Sequence, residues 1–142
     1  SRPGRIYFPS SGGITALDTT KKQPEAIWTS NRLRPGAAST IVDGNYLYAV
    51  NRSGVLTCAS AVTGKTVWQQ RLKGSFWATP VIAAGHMYLV SQAGDLQIVK
   101  LGKDAGEVVS EFALEEKIQG SPAIADNAIF IRSDAHLWKL AN

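Results

Sequence analysis

An all-β fold assembled from repeated four-stranded units is what this 142-residue sequence predicts. Three observations carry the prediction. One turn recurs at Gly12, Gly54, Gly94 and Ala135, at spacings of 42, 40 and 41 residues. Each copy of the turn is flanked by short apolar runs, such as Tyr46 to Val50 before Gly54 and Leu56-Thr57-Cys58-Ala59 after it. No stretch sustains a helical period. A period near 40 residues made of short strands predicts the blades of a β-propeller.

Aligning the copies places four strands, A to D, in each blade. The chain opens in strand B of a first blade (residues 5–8), continues through strand C (14–17) and reaches strand D at Ile27-Trp28. The second blade is complete, with strands at 39–42, 46–50, 55–59 and 66–70. The third repeats it at 79–83, 87–90, 96–99 and 108–112. The fourth supplies A, then B (128–131) and C (137–140). The runs are rich in Val, Ile, Tyr and Trp, which suit pleated, packed surfaces. Asp43-Gly44, Ser53-Gly54 and Thr63-Gly64 are turn formers because glycine accepts positive φ. Pro80 and Pro122 fall at strand starts, where a missing N–H does least harm.

The count is therefore B-C-D, A-B-C-D, A-B-C-D, A-B-C: fourteen strands, or about three and a half four-stranded antiparallel blades. Their approximate bounds are 5–33 (partial), 36–73, 77–115 and 120–142 (partial). Closed propellers need roughly four to eight blades. The expectation is a partial propeller, the C-terminal piece of a larger one, or a chain whose copies associate to close a ring.

Bulk properties exclude several classes. An apolar fraction of 44% with 18% charged residues fits a packed domain, not a disordered chain. No apolar run approaches the roughly 18 residues of a membrane-spanning helix, so no direct membrane span is expected. The first residues, Ser1 to Arg5, are not backed by an apolar signal region. Net charge is +4 without a long Lys/Arg run, which argues against nucleic acid. Cys58 is the only cysteine, so no internal disulfide forms and a buried, inert thiol is expected.

At strands C and D the copies resemble a known repeat. The segment Leu56-Thr57-Cys58-Ala59-Ser60-Ala61-Val62-Thr63-Gly64-Lys65-Thr66-Val67-Trp68 resembles the repeat motif of the PQQ-like, or quinoprotein-type, β-propeller family. Ile14-Thr15-Ala16-Leu17-Asp18 through Ile27-Trp28 is similar, with a turn two residues longer. The third copy keeps Gly106-Glu107-Val108-Val109 but has Ser110 where the family has Trp. The resemblance implies that the Trp locks neighbouring blades together, a role that carries to Trp28 and Trp68. It also implies a periplasmic, cell-surface or secreted bacterial protein.

The same resemblance brings two kinds of function into view. Some relatives are dehydrogenases that hold pyrroloquinoline quinone and calcium, with a vicinal cysteine pair and clustered acids; this sequence has no such pair and its acids are dispersed. No cofactor is therefore expected, with PQQ and calcium implied only if the chain is a fragment of a quinoprotein oxidoreductase. Other relatives are not enzymes. His86 and His136 occupy different repeat positions, so no shared metal site is expected. No nucleophile triad order or phosphate loop occurs.

The unusual loop is Lys73-Gly74-Ser75-Phe76-Trp77-Ala78, which joins strand D to strand A. With the B–C turns it forms a face expected to gather Arg34, Arg52, Phe76, Trp77, Gln92, Gln119 and Asp134. Exposed aromatics beside arginine suit a protein partner or small ligand. The competing expectation, which the sequence favours, is that Phe76 and Trp77 plug the gap between blades near the axis. The function expected is a non-enzymatic binding or assembly scaffold, the alternatives being the quinoprotein fragment and a structural module of a multidomain surface or regulatory protein.

Overall fold

The computed structural model describes residues 3–10 and 12–141; Ser1, Arg2, Ser11 and Asn142, the last residue of the expected fourth blade, lie outside the described residues. The fold is the all-β partial propeller that the repeat predicts. Four antiparallel sheets follow one another in chain order. The first holds β1 (Arg5–Ser10), β2 (Gly13–Asp18) and β3 (Glu25–Ser30). The second holds β4 (Ile41–Asp43), β5 (Tyr46–Val50), β6 (Val55–Ser60) and β7 (Thr66–Arg71). The third holds β8 (Val81–Ala83), β9 (His86–Val90), β10 (Asp95–Leu101) and β11 (Gly106–Ala113). The last holds β12 (Ala123–Ala125), β13 (Ala128–Arg132) and β14 (Leu137–Ala141).

Each sheet is a meander, so neighbours in sequence are neighbours in space. The core lies between the sheets. Tyr48, Val50, Leu56, Cys58 and Trp68 of the second sheet pack against Met87, Leu89 and Val99 of the third. Ile14 and Leu33 meet Leu47, Ala49 and Ala59 at the preceding junction. Val90 and Leu96 meet Ile131 at the following one. Cys58 is buried, and burial pushes its thiol up to about 11.

The A strands are shorter than the apolar runs suggest. In the second and third sheets they begin at Ile41 and Val81 rather than at Ser39 and Thr79. The residues before them serve the junctions instead. Ser39 N donates to Thr79 Oγ1 at 2.9 Å, and Thr79 N donates to Ser121 Oγ at 3.0 Å. Hydroxyls at one repeat position thus link three successive blades.

A second feature is invisible in the alternation. The C–D ladder shifts register at one place in each of the first three sheets: Ala16/Leu17, Cys58/Ala59 and Ile98/Val99. The extra residue is Ile27, Val67 or Val109, each left exposed. A bulge bends the strand and re-aims the next side chain. That next residue is Trp28, Trp68 or Ser110.

Candidate functional site: the B–C turn and D–A loop face

Trp28 and Trp68, aimed by the bulges, hold the blades in place. The Trp28 indole N–H donates to Ala61 O of the second blade at 3.3 Å, and Trp68 donates to Gly102 O of the third at 3.1 Å. Each ring lies on a glycine of that next blade. A Cβ at Gly64 would stand 2.5 Å from Trp28 Cε3, and one at Gly106 would stand 2.7 Å from Trp68 Cη2. The ring therefore needs a glycine floor as well as a carbonyl acceptor.

The loops after strand D are stitched to the B–C turns by backbone hydrogen bonds. Leu72 N donates to Gly54 O at 2.7 Å and Phe76 N to Arg52 O at 3.2 Å. The same loop accepts from the next blade, Gln92 N donating to Ser75 O at 2.8 Å. One repeat later, Leu114 N donates to Gly94 O, Ile118 N to Gln92 O and Asp134 N to Lys117 O. Gly54 makes this closure possible. Its φ is 85°, and a Cβ there would stand 2.8 Å from the carbonyls of Leu72 and Gly74.

Side chains repeat the stitching with different chemistry at successive junctions. Between the second and third blades, Lys73 Nζ meets Asp95 Oδ1 at 2.8 Å, and Ser91 Oγ donates to Asp95 Oδ2 at 2.9 Å. The buried Gln97 amide clasps the Lys73 backbone from both sides, accepting from its N–H and donating to its carbonyl. The hydrogen bond from Lys73, chiefly, holds the Asp95 carboxyl below the usual carboxylate range. Between the third and fourth blades the loop supplies the acid. Glu116 accepts from Ser133 Oγ, pairs with His136 Nδ1 at 2.6 Å and accepts from Trp138 Nε1 at 3.2 Å. These bonds, the Ser133 hydroxyl first, hold its carboxyl low against the opposing effect of burial.

The seven residues expected on this face separate into three groups. Arg52, Gln92 and Asp134 sit in the B–C turns; Arg52 and Asp134 are exposed, and half-buried Gln92 accepts from Ser75 Oγ. Arg34 and Gln119 are exposed on the loops between blades, Arg34 donating through Nε to Asn31 O at 2.9 Å. Phe76 is a correction to the face and agrees with the favoured plug: it is 1% exposed and packed in the core between the second and third blades. Its neighbour Trp77 is 45% exposed. The pair therefore splits, one residue a plug and one a surface ring.

Sequence reasoning missed the Lys73–Asp95 and Glu116–His136 pairs. Each member sits in a different blade, so no local spacing reports them; only the shared repeat positions Asp95 and His136, one residue past the turn anchors Gly94 and Ala135, carry a signal. Among the described residues, no group of three or more His, Cys, Asp and Glu converges as a metal site would require. No described helix is long and apolar enough to cross a membrane.

Repeated four-stranded blades, joined by a Trp on a glycine floor, define a propeller of PQQ-like repeats. The chain belongs to the PQQ-like family described as outer membrane protein assembly factor BamB, whose model matches residues 10–99. No curated protein matches the sequence. Among solved structures, BamB from Moraxella catarrhalis is 20% identical with a TM-score of 0.70, over 92% of this chain and 40% of that one. A quinohemoprotein alcohol dehydrogenase from Pseudomonas putida HK5 is 15% identical with a TM-score of 0.57, over 66% of this chain and 16% of that one. The computationally designed protein Ika4 is 9% identical with a TM-score of 0.75, over 99% of this chain and 88% of that one. At these identities the likeness is one of fold. The chain spans less than half the length of the BamB and dehydrogenase chains it resembles.

Proposed function

We propose that this chain is a non-enzymatic binding scaffold that meets a protein partner through the B–C turn and D–A loop face. The observation that carries the reading is Trp77. It is 45% exposed, yet its backbone follows directly on a buried anchor, Phe76. A large ring held out on an immobilised loop suits recognition, because little freedom is lost when a partner covers it. Arg52 and Gln92 lie on turns whose backbone bonds Phe76 and Ser75 of the same loop, and Asp134 holds the matching place at the next junction, bonded to Lys117. The family description, an outer membrane protein assembly factor, supports a bacterial periplasmic setting and a partner in that assembly. In this reading the outward flanks of the first and last blades, which expose Ile6, Phe8 and Leu137, are covered by further propeller blades.

Site-specific photo-crosslinking in a bacterial host tests the face. A crosslinker at position 77 or 52 is expected to trap a partner, and one at position 44 or 85, in the A–B turns at the opposite end of the blades, is not. Trp77→Ala is expected to abolish the adduct from position 52 while leaving the melting temperature unchanged. Equal trapping from both ends, or unfolding of Trp77→Ala, would overturn the reading.

A further inference from the structure

We propose that the rim groove between the first and second blades docks an acidic peptide segment of a protein partner. The groove consists of two adjoining hollows of about 490 and 470 Å³. One wall is the end of β3 and the turn after it, with Asn31, Arg32 and Arg34. The other is the turn into β7, with Lys65 and Thr66, and Gln69 beyond. Three cations line it and no acidic residue does.

The cations are unspent. None of Arg32, Arg34 and Lys65 forms an ion pair among the described residues. Arg34 is held by its Nε–H bond to Asn31 O, which leaves its terminal amino groups unpartnered among the described residues. Guanidinium forks match carboxylates in two-bond geometry, and the surrounding amides and hydroxyls can complete the polar contacts.

The fold keeps this junction open. At the rim, β7 and β11 come into contact, while β3 and β7 stand apart enough to leave the hollows between them. Both β3 and β7 are the outermost strands of their sheets, so unpaired backbone groups lie beside the cations. The lining carries no apolar side chain, which a lipid surface would require. It carries no aromatic ring on which a nucleic-acid base could stack. A carboxylate-bearing peptide is the occupant that fits positive charge, polar walls and free strand edges together. The groove takes Asn31, Arg32 and Arg34 from the first D–A loop but none of Arg52, Trp77, Gln92 and Asp134, so a change at Trp77 distinguishes the two surfaces.

Fluorescence anisotropy with the 142-residue chain tests the proposal. The probe is a labelled ten-residue peptide of alternating Glu and Thr, set against the same peptide with Lys in place of Glu. The acidic peptide is expected to bind, and the basic one not. Binding should weaken about tenfold or more in Arg32→Glu/Arg34→Glu, whose exposed sites leave the melting temperature unchanged, and should fall as salt rises. Trp77→Ala should leave it untouched, which separates this groove from the loop face. Equal binding of both peptides, indifference to the double charge reversal, absence of binding at millimolar peptide, or selective capture of phosphatidylglycerol vesicles instead would each overturn it.

Discussion

Trp68 and Trp28 perform one role under different degrees of cover, and the difference is measurable. Trp68 is 7% exposed and adds ring contacts to Tyr48 and a hydrogen bond to Gly102 O. Trp28 is only half-buried, beside Tyr7. Trp68→Ala is expected to cost about 3–5 kcal/mol in chemical denaturation. Trp28→Ala should cost less, about 1–3 kcal/mol, because less apolar area leaves water there. Trp68→Phe should recover most of the loss and fall short by roughly the 0.5–1.5 kcal/mol of one hydrogen bond. Equal costs at both positions would show that ring burial does not set the strength of the lock. The roles of both residues were legible in the repeat motif. What aims them, the bulge at Ile27 and Val67, was not, because a single extra residue in a strand leaves the apolar pattern nearly unchanged.

At the scale of the element, the third blade departs from the repeat. Ser110 stands where Trp28 and Trp68 stand, so the junction to the fourth blade has no indole lock from that position. The Glu116 network occupies the loop end of that junction. Glu116 is held below its ordinary value of 4.5 in the folded chain. A group with a depressed folded pKa stabilises above its unfolded pKa and loses that contribution as pH falls through the folded one. Thermal melts taken downward from about pH 5 should therefore fall more steeply for the wild type than for Glu116→Gln. Asp95, depressed in the same way, contributes a background common to both proteins. Parallel curves would show that this carboxylate does not hold the junction. Nothing in the local sequence marks Glu116, since its three partners come from another blade 17 to 22 residues on.

For the whole molecule, the flanks govern behaviour. Ile6 and Phe8 on β1 are 54% and 56% exposed, and Leu137 on β14 is 70% exposed. In the inner blades the faces matching Ile6 and Phe8, those of Leu47 and Ala49, are covered by the preceding sheet, and the face matching Leu137, that of Leu96, by the following one. Exposed apolar sheet faces drive association. The isolated 142-residue chain, of 15.2 kDa, is expected to sediment at twice that mass rather than as a monomer. Ile6→Lys/Phe8→Lys should return it to 15.2 kDa. A monomeric wild type would show that these flanks are tolerated in water.

Sequence alone determined the blade architecture, because a 41-residue period of strand and turn can bury its apolar runs only by stacking like units. Through the repeat motif it also placed Trp28 and Trp68 at the blade junctions, and it put Arg52, Gln92 and Asp134 in the B–C turns. Tertiary structure decided the rest. It separated Phe76 from Trp77, two adjacent aromatics that composition treats alike, by burying the first in the core shared with Leu72 and Leu89 and leaving the second 45% exposed. It brought Lys73 to Asp95 and Glu116 to His136 across blades, and it opened the cationic groove beside β3. These features depend on distances between separate blades, and the periodicity of a repeat reports what recurs within each blade, not what two different blades place opposite one another.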